Sequence, residues 1–103
     1  MNVIVKRPGE APCAEQIENT LEGLQALVGG YIEAVTLASD LAVICNEEGR
    51  LMDLPHNCEV AGIDFVGAIV FVGVRDDDFT DVPYDVDGIR VLFPSLFEEG
   101  EEK

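Results

Sequence analysis

The residues best suited to bind a metal are two cysteines and the one histidine of the chain, Cys45, His56 and Cys58. His56 and Cys58 could supply two zinc ligands from one loop, and Cys45 could supply a third from the end of a strand. The spacing does not match zinc sites, in which two close pairs of ligands are separated by a longer segment. Isolated cysteines more often pack as small apolar side chains. We therefore expect no bound zinc and no other cofactor. We also expect no disulfide, because Cys13 completes an odd set without a CxxC motif.

A run of aspartates offers oxygen ligands for a hard cation. Asp76, Asp77 and Asp78 are followed by Asp81 and Asp85 in a stretch rich in turn-forming residues. The alternating ligands and closing glutamate of an EF-hand loop are absent, and a run of like charges is typical of a solvated surface. The sequence therefore predicts an acidic surface patch at Asp76–Asp78 without a dedicated metal site.

Catalytic groups are sparse. His56 has no serine or cysteine motif around it, and nothing distinguishes Glu47 or Glu48 as a general base from residues of a solvated turn. The pair Gly29-Gly30 follows a predicted helix, so its amides do not lie at a helix N-terminus, where anions bind. We therefore expect a protein that is not an enzyme.

The stretch 19–36 predicts the element that organises the fold. Asn19 is expected to cap a helix over Asn19–Val28, with Glu22 completing a capping box. Gly29 and Gly30 are expected to end this helix with left-handed backbone. From Tyr31 the apolar period changes to two, which predicts a strand over Tyr31–Thr36.

The remaining segments mostly predict strands. Val3–Val5 and Ala14–Ile17 are expected to pair as a hairpin, and the continuous apolar run Leu41–Cys45 predicts a central strand. Arg50–Met52 is expected to return as a short strand, and Phe65–Val74 predicts one long buried strand. The tail predicts a broken C-terminal helix within 81–97 and a frayed charged end over 98–103. Together these segments predict one α+β domain with its core in 3–80, a mostly antiparallel sheet, one packed helix and a short C-terminal helix.

Polar residues at the predicted turns are the candidates for binding, since loops held by a rigid scaffold often carry function. The alternative is that these residues serve only the conformation of the turns. The candidates lie after the glycine pair, at the predicted hairpin tip and after a proline: Tyr31, Asn46, Glu47, Glu48, His56 and Asn57.

Composition limits the class of partner. Twenty-one acidic residues against six basic ones give the 103-residue chain a net charge of −15. This charge disfavours direct binding to nucleic acid or to an anionic membrane, and it is compatible with a partner protein that has a basic surface. The sequence lacks a run of 18 apolar residues and a signal-peptide pattern, so we expect a cytoplasmic protein. Self-association stays open.

Four stretches together resemble a known family of small proteins. They are Glu18–Gln25, Val28–Glu33, Ile44–Gly49 and Leu54–Asn57, within a match over Val3–Thr80. They resemble domain-of-unknown-function family 3846, whose members are common in phages and mobile elements of gut and other Gram-positive bacteria. The segment after Asp81 departs from the family pattern. The resemblance implies no activity, but it implies an accessory gene that acts in a bacterial cytoplasm.

Charge and setting together favour one function over two others. The first expectation is a non-enzymatic acidic binding module that occupies a host protein with a basic surface. The second is a protein that sequesters a small molecule, such as a nucleotide-like signal, which the negative charge disfavours unless the pocket is locally neutral. The third is a purely structural or assembly role.

Overall fold

A computed structural model of the chain describes residues 1–97, and the end predicted to fray, 98–103, lies outside the described residues. Eight strands, two α-helices and a closing 3-10 helix follow one another along this part of the chain. In order they are β1 (Asn2–Lys6), β2 (Cys13–Gln16), α1 (Leu21–Val28), β3 (Ile32–Ala38), β4 (Leu41–Asn46), β5 (His56–Val60), β6 (Ile63–Val66), β7 (Ile69–Arg75), β8 (Asp78–Thr80), α2 (Val86–Leu92) and the 3-10 helix (Pro94–Phe97).

The main sheet has six strands and is antiparallel at every pairing. Its order is β2-β1-β7-β4-β3, and β8 pairs with the last residues of β7. All six residues of β4 are buried, which explains their nearly continuous apolar sequence and confirms Leu41–Cys45 as a central strand. The predicted pairing of the first two strands is also confirmed, with Val3 opposite Glu15.

Both faces of this sheet are covered, so the molecule has three layers. Helix α1 packs on one face, where Leu24 and Val28 meet apolar side chains of β1, β4 and β7. The hairpin β5–β6, helix α2 and the 3-10 helix pack on the other face around Phe71 and Ile89. The predicted α+β class is therefore confirmed, with one packed helix and a short C-terminal helix.

The N-cap of helix α1 lies one residue later than predicted. Thr20 is the N-cap, with extended backbone, and its hydroxyl accepts a hydrogen bond from the Gly23 N–H at 3.0 Å. The Asn19 amide instead donates to the Phe79 carbonyl of β8 at 3.1 Å. The prediction of Asn19 as the cap is wrong because a contact distant in sequence engages its side chain, and the next residue, Thr20, is also of a type that caps helices.

The two glycines after α1 have different roles. Gly29 takes the left-handed conformation at φ 81° and its N–H donates to the Gln25 carbonyl, as a helix C-cap does. Gly30 does not have a positive φ, so the prediction for this residue is wrong. A Cβ atom on Gly30 would lie 2.9 Å from Nδ2 of Asn46, and close approach is therefore the reason for glycine there.

The apolar run predicted as one strand over Phe65–Val74 is divided into β6 and β7. Gly67 interrupts it with φ 73°, and its N–H donates to the Pro55 carbonyl at 2.8 Å. The prediction is wrong because the run contains two strands of different sheets, joined by Gly67 and Ala68, and the left-handed glycine turns the chain between them. Since both strands are apolar, the pattern shows no boundary between them.

The segment 47–55 is a loop, and the strand predicted at Arg50–Met52 does not form. The Met52 N–H donates to the Glu48 carbonyl and the Leu54 N–H to the Gly49 carbonyl, so the backbone closes on itself in successive turns. These local hydrogen bonds replace the pairing that a strand would need. Conversely, His56 and Asn57, predicted in a loop, lie on strand β5 at an irregularity in its register.

Candidate functional site

Several of the predicted binding residues meet at one groove, here called the acidic groove. It has a volume of about 230 Å³ and lies between the end of β4, the edge strand β3 and the hairpin β5–β6. Its carboxylates come from β3, from β6 and from the loop that follows β4: Glu33, Asp64, Glu47 and Glu48. The groove therefore concentrates negative charge from residues distant in sequence.

Asn46 fixes the wall of the acidic groove. Its side chain is buried, at 6% exposure, and its amide donates to the Val28 carbonyl at 3.0 Å. Its Oδ1 accepts a hydrogen bond from the Glu48 N–H at 2.7 Å, as in an Asx turn. Asn46 thus joins the end of α1 to the start of the loop, and it holds the backbone of Glu48 beside the groove.

Large apolar side chains are exposed near these carboxylates. Leu51 and Ile63 line the acidic groove with 86% and 40% exposure, and Met52 is close enough for its sulfur to contact the Asn46 amide. Tyr31 is 65% exposed, and its carbonyl accepts from the Glu47 N–H at 2.8 Å. Apolar side chains bordered by charge are typical of a protein-binding surface.

One basic residue, Arg50, also lines the acidic groove, and both it and the neighbouring His56 are held close to Asp64. Arg50 donates from Nη2 to the Asp64 carbonyl at 2.8 Å, and Nε2 of His56 lies 3.3 Å from Oδ1 of Asp64. His56 therefore borders the groove through Asp64. The buried Cys45 thiol opposite Glu33 has a pKa raised by loss of solvation and further by the Glu33 carboxylate, so it is held as the neutral thiol.

The three residues considered for zinc do not form a site. Cys45 belongs to the core and Cys58 of β5 packs against it, whereas His56 is on the surface. Within residues 1–97, no group of three histidine, cysteine or acidic side chains is arranged to hold a metal ion.

Asn57 points away from the acidic groove and joins three parts of the backbone. Its Nδ2 donates to the Lys6 carbonyl at 2.8 Å and to the Gly67 carbonyl at 2.7 Å. Its Oδ1 accepts from Nζ of Lys6 at 2.9 Å, and the Lys6 side chain is fully buried. These contacts give Asn57 a structural role, and they explain the irregularity that turns it inward from β5.

The predicted acidic patch lies at the opposite end of the main sheet from Asn46. Asp76 and Asp77 form the tight turn between β7 and β8, with φ 52° and 70°, and Asp78 follows in β8. Because β4 and β7 are antiparallel and Leu41 pairs with Gly73, this turn lies beside the start of β4. The patch and the acidic groove are therefore separate sites.

A second groove, here called the neutral groove, was not predicted. It has a volume of about 440 Å³ and lies between the hairpin β1–β2 and the segment 82–85. Its two carboxylates are engaged elsewhere: Glu15 pairs with Arg7 at 2.7 Å, and Asp85 caps α2. The hydrogen bond from Arg7 lowers the pKa of Glu15. Tyr84 after Pro83 was the one local signal for this groove, within a segment whose sequence predicts only an interrupted helix.

Comparison with known proteins adds a family and no named activity. The family model described as Domain of unknown function (DUF3846) matches residues 1–93. The matched region extends through α2, so the expectation that the family pattern ends near Asp81 is wrong. Neither the curated proteins nor the solved structures contain a match. Within residues 1–97, no helix is both long and apolar enough to cross a membrane.

Proposed function

We propose that this chain, which belongs to the DUF3846 family, is a non-enzymatic acidic binding module that occupies a host protein with a basic surface. In this proposal it is the product of a phage or another mobile element and acts in the cytoplasm of a bacterial host. The resemblance noted in the sequence supports that setting.

The observation that carries the proposal is the composition of the acidic groove. Glu33, Glu47, Glu48 and Asp64 converge there from separate elements, and exposed Leu51 lies among them. Carboxylates attract lysine and arginine side chains and repel phosphates. Apolar area contributes affinity that survives screening by salt, since removal of apolar surface from water does not depend on charge.

Net charge supports the same class of partner. At −15 the chain is attracted over distance to a basic surface, and this attraction is screened beyond roughly 8 Å at physiological ionic strength. Steering of this kind raises the rate of association more than it raises affinity. Contacts at the groove would then determine how long the complex lasts.

The experiment is capture of partners from a lysate of a Gram-positive bacterium with the tagged full chain, followed by mass spectrometry. The variant Glu47→Gln/Glu48→Gln keeps the shape of both side chains and removes two charges from the acidic groove. The matched control, Asp76→Asn/Asp77→Asn, removes two charges at the far end of the sheet. We expect the groove variant to lose the partner that the control retains. Equal capture of the same protein by both variants, at low and high salt, would overturn the proposal.

A second candidate function rests on the neutral groove. Its volume of about 440 Å³ lies in the range of roughly 300–1,000 Å³ that is common for small-molecule sites. Because Glu15 and Asp85 are both engaged, this groove is locally more neutral than the rest of the surface, as a site for a nucleotide-like signal requires. Native mass spectrometry of the purified chain tests this function. A retained small molecule that is lost with Tyr84→Ala would favour sequestration.

A further inference from the structure

Strand β3 is an open edge of the main sheet. Within residues 1–97 it pairs with β4 alone, and it stands last in the strand order. Two further strands of the main sheet lie at edges, but β2 has four residues and follows Pro12, and β8 has three residues, so each offers little backbone to a partner. β3 has seven residues, and it contains neither proline nor lysine, the residues that usually protect an edge.

The hydrogen-bond pattern indicates which groups of β3 face outward. The Tyr31 carbonyl accepts from the Glu47 N–H, and hydrogen-bonded pairs of antiparallel strands recur at every second residue. The pairs that follow in register, Glu33 with Cys45 and Val35 with Val43, therefore bond within the sheet. The backbone groups of Ile32, Ala34 and Thr36 consequently point away from β4. The register shifts only after Thr36, so this outward row is regular.

The same strand forms one side of the acidic groove. Glu33 and Val35 lie on the face of β3 that lines the groove, together with Glu47, Glu48 and Asp64. Ala34, on the opposite face, is small and exposed. A strand added beside β3 would place every second side chain over the carboxylates, because side chains alternate between the two faces of a sheet.

We propose that β3 binds an extended basic segment of the partner as an added strand, with alternate arginine or lysine side chains lying in the acidic groove. The inference rests on the proposed function and specifies its mode of recognition, in which backbone hydrogen bonds supply affinity and the groove selects the side chains. Charge complementarity favours this occupant over a second copy of the chain. Two copies paired through β3 would bring Glu33 residues and two charges of −15 together.

The test uses a defined probe, an acetylated and amidated hexapeptide of alternating arginine and valine. Two isomeric analogues carry N-methyl groups on either the arginine or the valine backbone nitrogens and have the same charge. Because alternate N–H groups of a strand point to opposite edges, only one analogue blocks the paired edge. We expect that analogue to bind at least about tenfold more weakly than the parent peptide, since several backbone hydrogen bonds are lost, and the other to bind like the parent.

Protein variants give an independent measurement. Ala34→Pro removes an N–H that faces outward and keeps the pairing of β3 with β4 intact. It should therefore weaken binding of the parent peptide by a similar factor. Glu33→Gln should also weaken binding, whereas Asp76→Asn/Asp77→Asn should retain most of it. If Ala34→Pro does not fold, the two analogues still decide the question.

The outcomes separate this inference from the proposed function. Equal binding of both analogues would overturn strand addition while leaving electrostatic binding intact. Failure of the parent peptide to bind would also overturn strand addition. The proposed function is tested independently by the lysate experiment. Self-association of the chain that is removed by Ala34→Pro would show that a second copy occupies β3, and this result too would overturn the inference.

Discussion

The two ends of the main sheet both carry acidic residues, but they differ in how those residues are held. At one end, here called the loop end, Glu47 and Glu48 follow β4 and lie beside a groove with exposed apolar side chains. At the other, the hairpin end, Asp76 and Asp77 project from a two-residue turn made of charged residues alone.

The difference concerns what a partner could contact at each end. At the hairpin end a partner finds charge on a solvated turn, and such charges mainly accelerate encounter. At the loop end it finds charge, apolar area and an open strand edge together. The comparison teaches that carboxylates gathered from separate elements can lie beside apolar area and an open strand edge, whereas a run of like charges on a turn has neither.

The largest expected effect is a loss of stability when a core residue between the two ends of the sheet is truncated. Leu24 is buried beneath α1, between the loop end and the hairpin end, so Leu24→Ala should lower the free energy of unfolding by about 2–5 kcal/mol. Leu21→Ala changes the same residue type on the exposed side of the same helix, and should cost less than about 1 kcal/mol. Urea denaturation measures both. Equal effects of the two variants would show that α1 does not pack as described.

The next largest effect is the loss of stability when one asparagine near each end of the sheet is replaced. Asn46→Ala leaves the Val28 carbonyl and the Glu48 N–H without their partner at the loop end, and should cost about 1–3 kcal/mol. Asn19→Ala removes an exposed amide that bonds the Phe79 carbonyl near the hairpin end, and should cost about 0.5 kcal/mol. Thermal melting of the two variants gives the comparison, and a larger loss for Asn19→Ala would reverse it.

A smaller effect concerns rates of binding. With the captured partner or the arginine–valine peptide, Asp76→Asn/Asp77→Asn/Asp78→Asn should slow association severalfold at low salt and leave dissociation nearly unchanged. Glu47→Gln/Glu48→Gln should instead accelerate dissociation, because in the proposed complex these side chains contact the bound segment. Surface plasmon resonance at two salt concentrations separates the two rates. A faster dissociation from the triple variant would place the binding site at the hairpin end.

The smallest effect is a gain in stability at the hairpin end. Asp76 and Asp77 occupy left-handed backbone in a turn that favours asparagine followed by glycine. Asp77→Gly removes the cost of holding one non-glycine residue in this conformation. Because glycine also raises the conformational entropy of the unfolded chain, we expect the free energy of unfolding to rise by only about 0.5 kcal/mol. Gly62 occupies the equivalent position in the β5–β6 turn, so Gly62→Asp should lower the free energy of unfolding by a similar amount. A loss of stability in Asp77→Gly would mean that the Asp77 side chain supports the turn.

The sequence could predict those parts of the fold that depend on neighbouring residues. The fully buried strand β4 was visible as an uninterrupted apolar run, and the end of α1 was visible at Gly29. The N-cap was misplaced because Asn19 bonds to Phe79, which no local pattern reveals. The division between β6 and β7 was missed because Gly67 lies in a run that is apolar on both sides.

The candidate site was predictable only in part, for the same reason. Asn46, Glu47 and Glu48 were found because turn residues are locally recognisable. Glu33 and Asp64 were missed because their proximity to that turn depends on how β3 and β6 pack against β4. A single charge in the otherwise uncharged strand β3 was the signal available for Glu33.

The position of β7 in the sheet also determines when the chain can fold as it is synthesised. β1 and β4 are made early, yet each is joined to the other only through β7, which starts at Ile69. In a nascent chain that ends before Ile69, the main sheet therefore consists of two separate hairpins, β1–β2 and β3–β4, and neither has its central neighbour. Because these pairings close long loops, assembly of the sheet is a late and cooperative event that awaits most of the polypeptide. Until then the open edges of β1 and β4 are exposed to the ribosome's surroundings, where a surplus of negative charge keeps neighbouring nascent chains apart.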